Sequence, residues 1–209
     1  MDGKKADMVF THPPYGVNLD TNNIFSAPSR KAKGHNFPKI HGDTSINIAV
    51  QVFNLIDSLN IKTEIWWGAN YYCHALPLTA NWLVWDKREE DKERDNNSDG
   101  ELAWVKCDKH SLRIFRHKWK GMIKASEHGQ ERVHPTQKPI ALAAWCCNEY
   151  APDANVILDL FLGSGSTLIA AEQLKRICYG IEIDPIYCDV IIERYKKLRP
   201  NAIIQKTST

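Results

Sequence analysis

Apolar positions in this chain fall into short runs separated by polar, Gly- and Pro-containing stretches, and the spacing changes along its length. Residues 6–11 form an apolar burst that predicts a strand. It must end at Pro13-Pro14, since proline cannot extend a hydrogen-bonded ladder. Residues 16–42 show no period and predict a long functional loop. Ile46, Val50, Phe53 and Ile56 then share one face of a helix, with Asp43, Thr44 and Ser45 as candidate N-caps. Strands are predicted over 61–67 and 82–85, and two more over 102–107 and 112–117 that could pair as a hairpin. Residues 86–100 and 121–133 read as solvated loops, and Pro139 starts a helix that runs to residue 150.

The last third has the clearest rhythm. Strand 156–161, a Gly/Ser turn, helix 167–174, strand 177–183 and helix 185–198 follow one another. That β-turn-α-β-α order predicts an α/β fold with a doubly wound, mostly parallel sheet, its crossovers right-handed. The expected organisation is a catalytic half over 1–85, a recognition insert over 86–133 and a cofactor half over 134–209.

Composition narrows the function without naming it. A net charge of +2 makes a polycation untenable, so any nucleic-acid role needs local clustering. Six cysteines without a C-x-x-C pair suit reduced, mostly buried thiols in a cytoplasmic protein better than a disulfide framework or zinc site. No apolar run is long enough for a membrane helix, and the histidines lack metal-ligand spacing. Trp66, Trp67, Trp82, Trp85 and Trp145 are expected in the core.

The turn Asp159-Leu160-Phe161-Leu162-Gly163-Ser164-Gly165-Ser166-Thr167 lies between a buried strand and a helix, where small residues admit a ligand to the backbone and the helix N-terminus favours an anion. About twenty residues on, Glu182 ends the next strand, placed to hold ribose hydroxyls. A dinucleotide fingerprint needs a third glycine where Leu168 stands, which disfavours a nicotinamide oxidoreductase.

Thr11-His12-Pro13-Pro14-Tyr15-Gly16 resembles the (Asp/Asn/Ser)-Pro-Pro-(Tyr/Phe) hallmark of DNA amino-methyltransferases, which act on adenine N6 or cytosine N4. Trp66-Trp67-Gly68-Ala69-Asn70, Trp82 to Lys87 and His134-Pro135-Thr136-Gln137-Lys138-Pro139 are similar to further motifs of that family. Catalytic motif first and cofactor motif last is its β-class order. The resemblance implies S-adenosyl-L-methionine as cofactor, double-stranded DNA as partner, and a homodimer as one arrangement. It assigns catalysis to His12, Pro13, Pro14 and Tyr15, with the Pro13 carbonyl accepting from the amine and Tyr15 stacking on a flipped base. It gives cofactor contacts to Thr11, Thr136, Gln137, Lys138, Asp159, Phe161, Gly163, Ser164, Gly165, Thr167 and Glu182.

His12 departs from the family pattern. Neutral imidazole offers one acceptor nitrogen and no negative charge, and imidazolium offers none. Impaired or absent activity is expected, with any residual rate falling below the ordinary imidazole pKa of about 6.5. Aspartate is typical of the family's adenine enzymes and serine of its cytosine enzymes. Histidine is one codon step from aspartate, which favours adenine N6 over cytosine N4. A non-catalytic DNA- and cofactor-binding descendant is the competing reading. Basic residues Arg113, Arg116, Lys118 and Lys120, interleaved with Phe115 and Trp119, are expected to meet DNA, as are Arg30, Lys31 and Lys33 in the loop after the tetrapeptide.

Overall fold

The computed structural model describes residues 1, 3–19, 37–89, 98–108, 111–120 and 123–207. A seven-stranded sheet is its centre, in the order β5-β3-β4-β2-β1-β8-β9. These strands are β1 (Met8–Thr11), β2 (Thr63–Trp67), β3 (Trp82–Asp86), β4 (Gly100–Lys106), β5 (Arg113–Arg116), β8 (Val156–Asp159) and β9 (Ile177–Gly180). A separate two-stranded ribbon joins β6 (Trp119–Lys120) to β7 (Ile123–Lys124). The helices are α1 (Asn47–Asp57), α2 (Ile140–Tyr150), α3 (Ser166–Gln173) and α4 (Pro185–Leu198).

Side chains alternate across the central strands, and both faces are covered. Met8, Phe10, Ile65, Trp67 and Ile157 pack with Leu142 and Cys146 of α2 and Ala170 of α3. Val9, Trp66, Trp104 and Leu158 pack on the other face with Ala49, Phe53 and Ile56 of α1. Trp66, Trp67 and Trp85 are fully buried, as core tryptophans should be.

β1 pairs in parallel with both β2 and β8, so the chain order reverses between β1 and β8. In open α/β sheets ligands bind beyond the carboxyl ends of strands at such a point. His12 follows one of those ends and Leu160 the other.

Three expectations change. The segments 102–107 and 112–117 do not form a hairpin with each other. β4 lies antiparallel between β3 and β2, while β5 runs parallel to β3 at the sheet edge. The reason is burial: Ala103, Trp104 and Val105 in succession need cover on both faces, which only an interior strand provides. Asp43 does not cap α1, whose N-cap residue is Ile46. The six cysteines are free, but only Cys146 and Cys147 are buried, and Cys73 is exposed.

Candidate functional site

The tetrapeptide loop is held by a carboxylate from outside the motif. Buried Asp43 accepts backbone N–H bonds from Tyr15, Gly16 and Val17 on Oδ1, at 3.0–3.3 Å, and from Leu19 on Oδ2 at 3.1 Å. Gly16 (φ +83°) comes against the Ser45 backbone, which a Cβ would meet at 3.0 Å. The Tyr15 ring sits over Gly68 (φ +73°), where a Cβ would overlap it. The Trp66-Trp67-Gly68 motif thus opens the seat for the ring. The outer face of Tyr15 is stacked by Tyr71, with centroids 4.4 Å apart and planes 8° apart.

His12 turns inward. Its Nε2 is buried without a hydrogen-bond partner among the described residues, and its ring lies 5.3 Å from that of Tyr15. Burial, then the Lys138 ammonium, drive its pKa well below the usual imidazole value; Glu101 opposes them, while His134 and Lys87 add to them. The imidazole is therefore neutral at neutral pH.

Beside it is a charge cluster that sequence reading missed. Glu101 of β4 pairs with Lys87 and with Lys138, each at 2.5 Å. Burial pushes the Glu101 carboxyl up, but Lys138 and Lys87 together outweigh it and hold it well below the carboxylate range. The Lys138 ammonium also lies 5.6 Å from the Trp67 ring centroid and 5.8 Å from that of Trp85. No local pattern marks Glu101, because its partners come from the residue after β3 and from a loop 37 residues later.

Across the switch point stands the Gly/Ser turn. Asp159 accepts from Thr11 Oγ1 (2.9 Å), Thr167 Oγ1 (2.6 Å) and Phe161 N (3.1 Å). Burial raises its pKa to about 6 despite those bonds. Thr11, Asp159 and Thr167 thus tie β1, β8 and α3 together through their side chains. Gly163 (φ +53°) approaches His134, and Gly165 (φ +78°) approaches Ile191, closer than a side chain would comfortably allow. Glu182 accepts from Gly163 N at 2.7 Å and Asp184 N at 2.9 Å, which fixes its carboxylate at the pocket wall. Ser166 Oγ donates to the Lys138 carbonyl, and Arg194 reaches the Ser164 carbonyl and Glu127. Within the His134 motif, Thr136 bonds His134 Nδ1, and Gln137 Oε1 accepts from Val133 N. Burial and Lys138 lower the His134 pKa to about 4.

One cavity of about 600 Å³ is shared by the tetrapeptide loop and the Gly/Ser turn and is lined by His12, Tyr15, Lys138, Phe161, Gly163 and Glu182. That volume suits a nucleoside-sized cofactor together with a second small group. The backbone of Gly163 lines the cavity, in a left-handed turn packed too closely on His134 for a side chain, and a fixed carboxylate stands just past the next strand, so the residues present fit an adenosyl cofactor. Among the described residues no group of three or more His, Cys, Asp or Glu could hold a metal ion, and no helix is long and apolar enough to cross a membrane.

The expected DNA-contacting residues are placed differently from one another. Arg113 and Arg116 are exposed and Lys118 is half-buried, each near an acidic side chain: Glu149 at 4.0 Å, Asp86 at 3.0 Å and Glu89 at 2.8 Å respectively. Trp119 is buried in the core and lines the cavity, with the Lys124 ammonium 4.7 Å from its ring centroid. Arg30, Lys31 and Lys33, and the Lys120 side chain, lie outside the described residues.

Comparison with known proteins agrees with this geometry. A family model described as DNA methylase (N6_N4_Mtase) matches residues 6–193. The chain is 28% identical over 131 residues to a type II methyltransferase, M2.MboI of Moraxella bovis, covering 63% of this chain and 46% of that protein. It is 32% identical over 81 residues to M.HinfI of Haemophilus influenzae, covering 39% and 23%. The matched part thus spans less than half the length of these curated relatives. In fold it is similar to the M1.HpyAVI–SAM complex (TM-score 0.53, 18% identity, 92% of this chain and 90% of that one). It is also similar to the cytosine-N4-specific PvuII DNA methyltransferase (TM-score 0.55, 16% identity, 93% and 82%).

Proposed function

Because this chain belongs to the N6/N4 DNA methylase family, we propose that it is built to methylate an exocyclic amine of double-stranded DNA, adenine N6 ahead of cytosine N4, and that His12 impairs it. S-Adenosyl-L-methionine is the methyl donor of the family and supplies an electrophilic methyl group. The observation that carries the reading is the junction of the two motifs. Thr11 and Asp159, 148 residues apart, are hydrogen-bonded, so the tetrapeptide and the Gly/Ser turn face one cavity.

Each residue then has a task that follows from its surroundings. Glu182, oriented by two backbone N–H groups, accepts from ribose hydroxyls. Gly163 and Gly165 let the turn pack tightly on His134 and Ile191, which brings the Gly163 backbone to the cavity wall beside the cofactor. Tyr15, braced by the Asp43-bound loop, offers its face to a base taken out of the duplex. An exocyclic amine is a poor nucleophile while its lone pair is delocalised into the ring. Acceptors aimed at both amine hydrogens favour its rehybridisation. The Pro13 carbonyl is one such acceptor. His12 Nε2 is the second, when the ring proton is on Nδ1. It takes one hydrogen bond but adds no negative charge beside the lysines of the Glu101 cluster, which is why turnover suffers.

Transfer of a radiolabelled methyl group from S-adenosylmethionine to duplex DNA tests the reading, in this chain and in His12→Asp. Label appearing on DNA in the variant supports it. Calorimetry that found tight NAD binding and no adenosylmethionine signal would end it. His12 also favours a second reading, a non-catalytic binding protein. Label-free DNA with His12→Asp, beside intact cofactor and duplex binding, would select that one.

A further inference from the structure

We propose that Tyr71 is an exchangeable cover for the base platform: it lies on Tyr15 in the free protein and leaves by side-chain rotation when a target base enters. This rests on the reading of Tyr15 as the ring on which a flipped base stacks. Two aromatic rings 4.4 Å apart at 8° have the geometry of a base on an aromatic side chain, so Tyr71 fills the position that base would take. Both rings line the cavity.

The two rings are not equally free. Tyr15 is fixed: Asp43 binds its backbone and the next two N–H groups, Gly68 underlies the ring, and His12 packs beside it. Tyr71 is 53% exposed, with its ring stacked on Tyr15. Its backbone cannot follow it outward. It sits in a single 3₁₀ turn, with Tyr71 N bonded to the Gly68 carbonyl and Tyr72 N to that of Ala69, and Ala69 and Tyr72 are completely buried on either side. A base cannot enter between two plates at 4.4 Å, and the pinned turn prevents them from separating. Rotation of the exposed Tyr71 side chain is the remaining route. The exchange replaces one stack by another, so uncovering Tyr15 does not leave its face in water, and a base that stacks poorly does not displace the cover.

Fluorine NMR of protein labelled with 3-fluorotyrosine tests this directly. Tyr71→Phe identifies the Tyr71 resonance, and Tyr15→Ala gives its position without the stack. Sheared genomic duplex is added with S-adenosylhomocysteine, and binding is followed separately by anisotropy of labelled DNA. The expected result is movement of the Tyr71 resonance to its unstacked position on binding. Duplex that binds with the resonance unmoved would overturn the cover and leave the DNA reading intact. Absence of duplex binding would overturn both. As a second measurement, in a His12→Asp background, Tyr71→Ala should lower KM for DNA with kcat unchanged. A raised KM would instead make Tyr71 a fixed second plate.

Discussion

His12 and Asp159 show how burial alters an ordinary side chain. Methyl transfer by this chain should be at least about a hundredfold below that of His12→Asp, by comparison with removal of one hydrogen bond from an oxyanion site. Any residual rate should not fall near pH 6.5, the expectation for a solvated imidazole. Burial and Lys138 lower the folded pKa, so His12 stays an acceptor as the pH drops through that value. Initial rates from pH 8 to pH 6 check this, and a loss centred on 6.5 would contradict it. Asp159 moves the opposite way. Its pKa is about 6 in the fold and about 3.9 in an unfolded chain. Its contribution is therefore fully present below pH 4 and is lost as pH rises through 6, since between these values the unfolded chain has shed a proton that the folded one keeps. Asp159→Asn lacks this dependence. Relative to the parent, it should gain about 2–3 kcal/mol of stability between pH 4 and pH 7, measured by urea unfolding at each pH.

At the scale of elements, the loop after β1 depends on parts remote in sequence. Gly68 combines a left-handed backbone with contact to the Tyr15 ring. Gly68→Ala should cost about 1–3 kcal/mol and displace the ring, while leaving cofactor binding near normal. Calorimetry beside a duplex-binding assay would separate the two effects, and equal loss of both ligands would show that the turn supports the whole sheet. This dependence explains what could be read from sequence. β1, α2, β8, α3 and α4 were legible, because each couples a strong apolar period to a local signal such as Pro139 or the Gly/Ser turn. The β4–β5 region was not. Two short apolar runs separated by polar residues look like a hairpin, and only the demand of Trp104 and its neighbours for cover on both faces inserts β4 between β3 and β2. Asp43 looks like a helix cap in sequence because its partners, N–H groups between Tyr15 and Leu19, are backbone atoms more than twenty residues away.

At the scale of the molecule, charge is distributed rather than concentrated. The chain carries only +2, and the cations expected to meet DNA are paired with acids: Arg116 with buried Asp86, and Lys118 with exposed Glu89. The Lys118–Glu89 pair, whose acid is exposed, is weak, so a phosphate can compete with that carboxylate for the lysine, whereas buried Asp86 also holds Arg88. Each lysine that meets a phosphate releases about one counterion, and that release appears in the slope of log affinity against log salt. Lys118→Ala should therefore flatten the slope by about one unit if this face meets DNA. Glu89→Gln should raise duplex affinity at low salt, because Lys118 no longer has to leave a carboxylate. Both follow from one titration series between 50 and 200 mM salt, a range of about the Debye lengths over which surface charges still interact. An unchanged slope in Lys118→Ala together with unchanged affinity in Glu89→Gln would take this face out of the DNA interface. The contact would then fall to other basic residues, Arg30, Lys31 and Lys33 first among them, which the same titration can test by substitution.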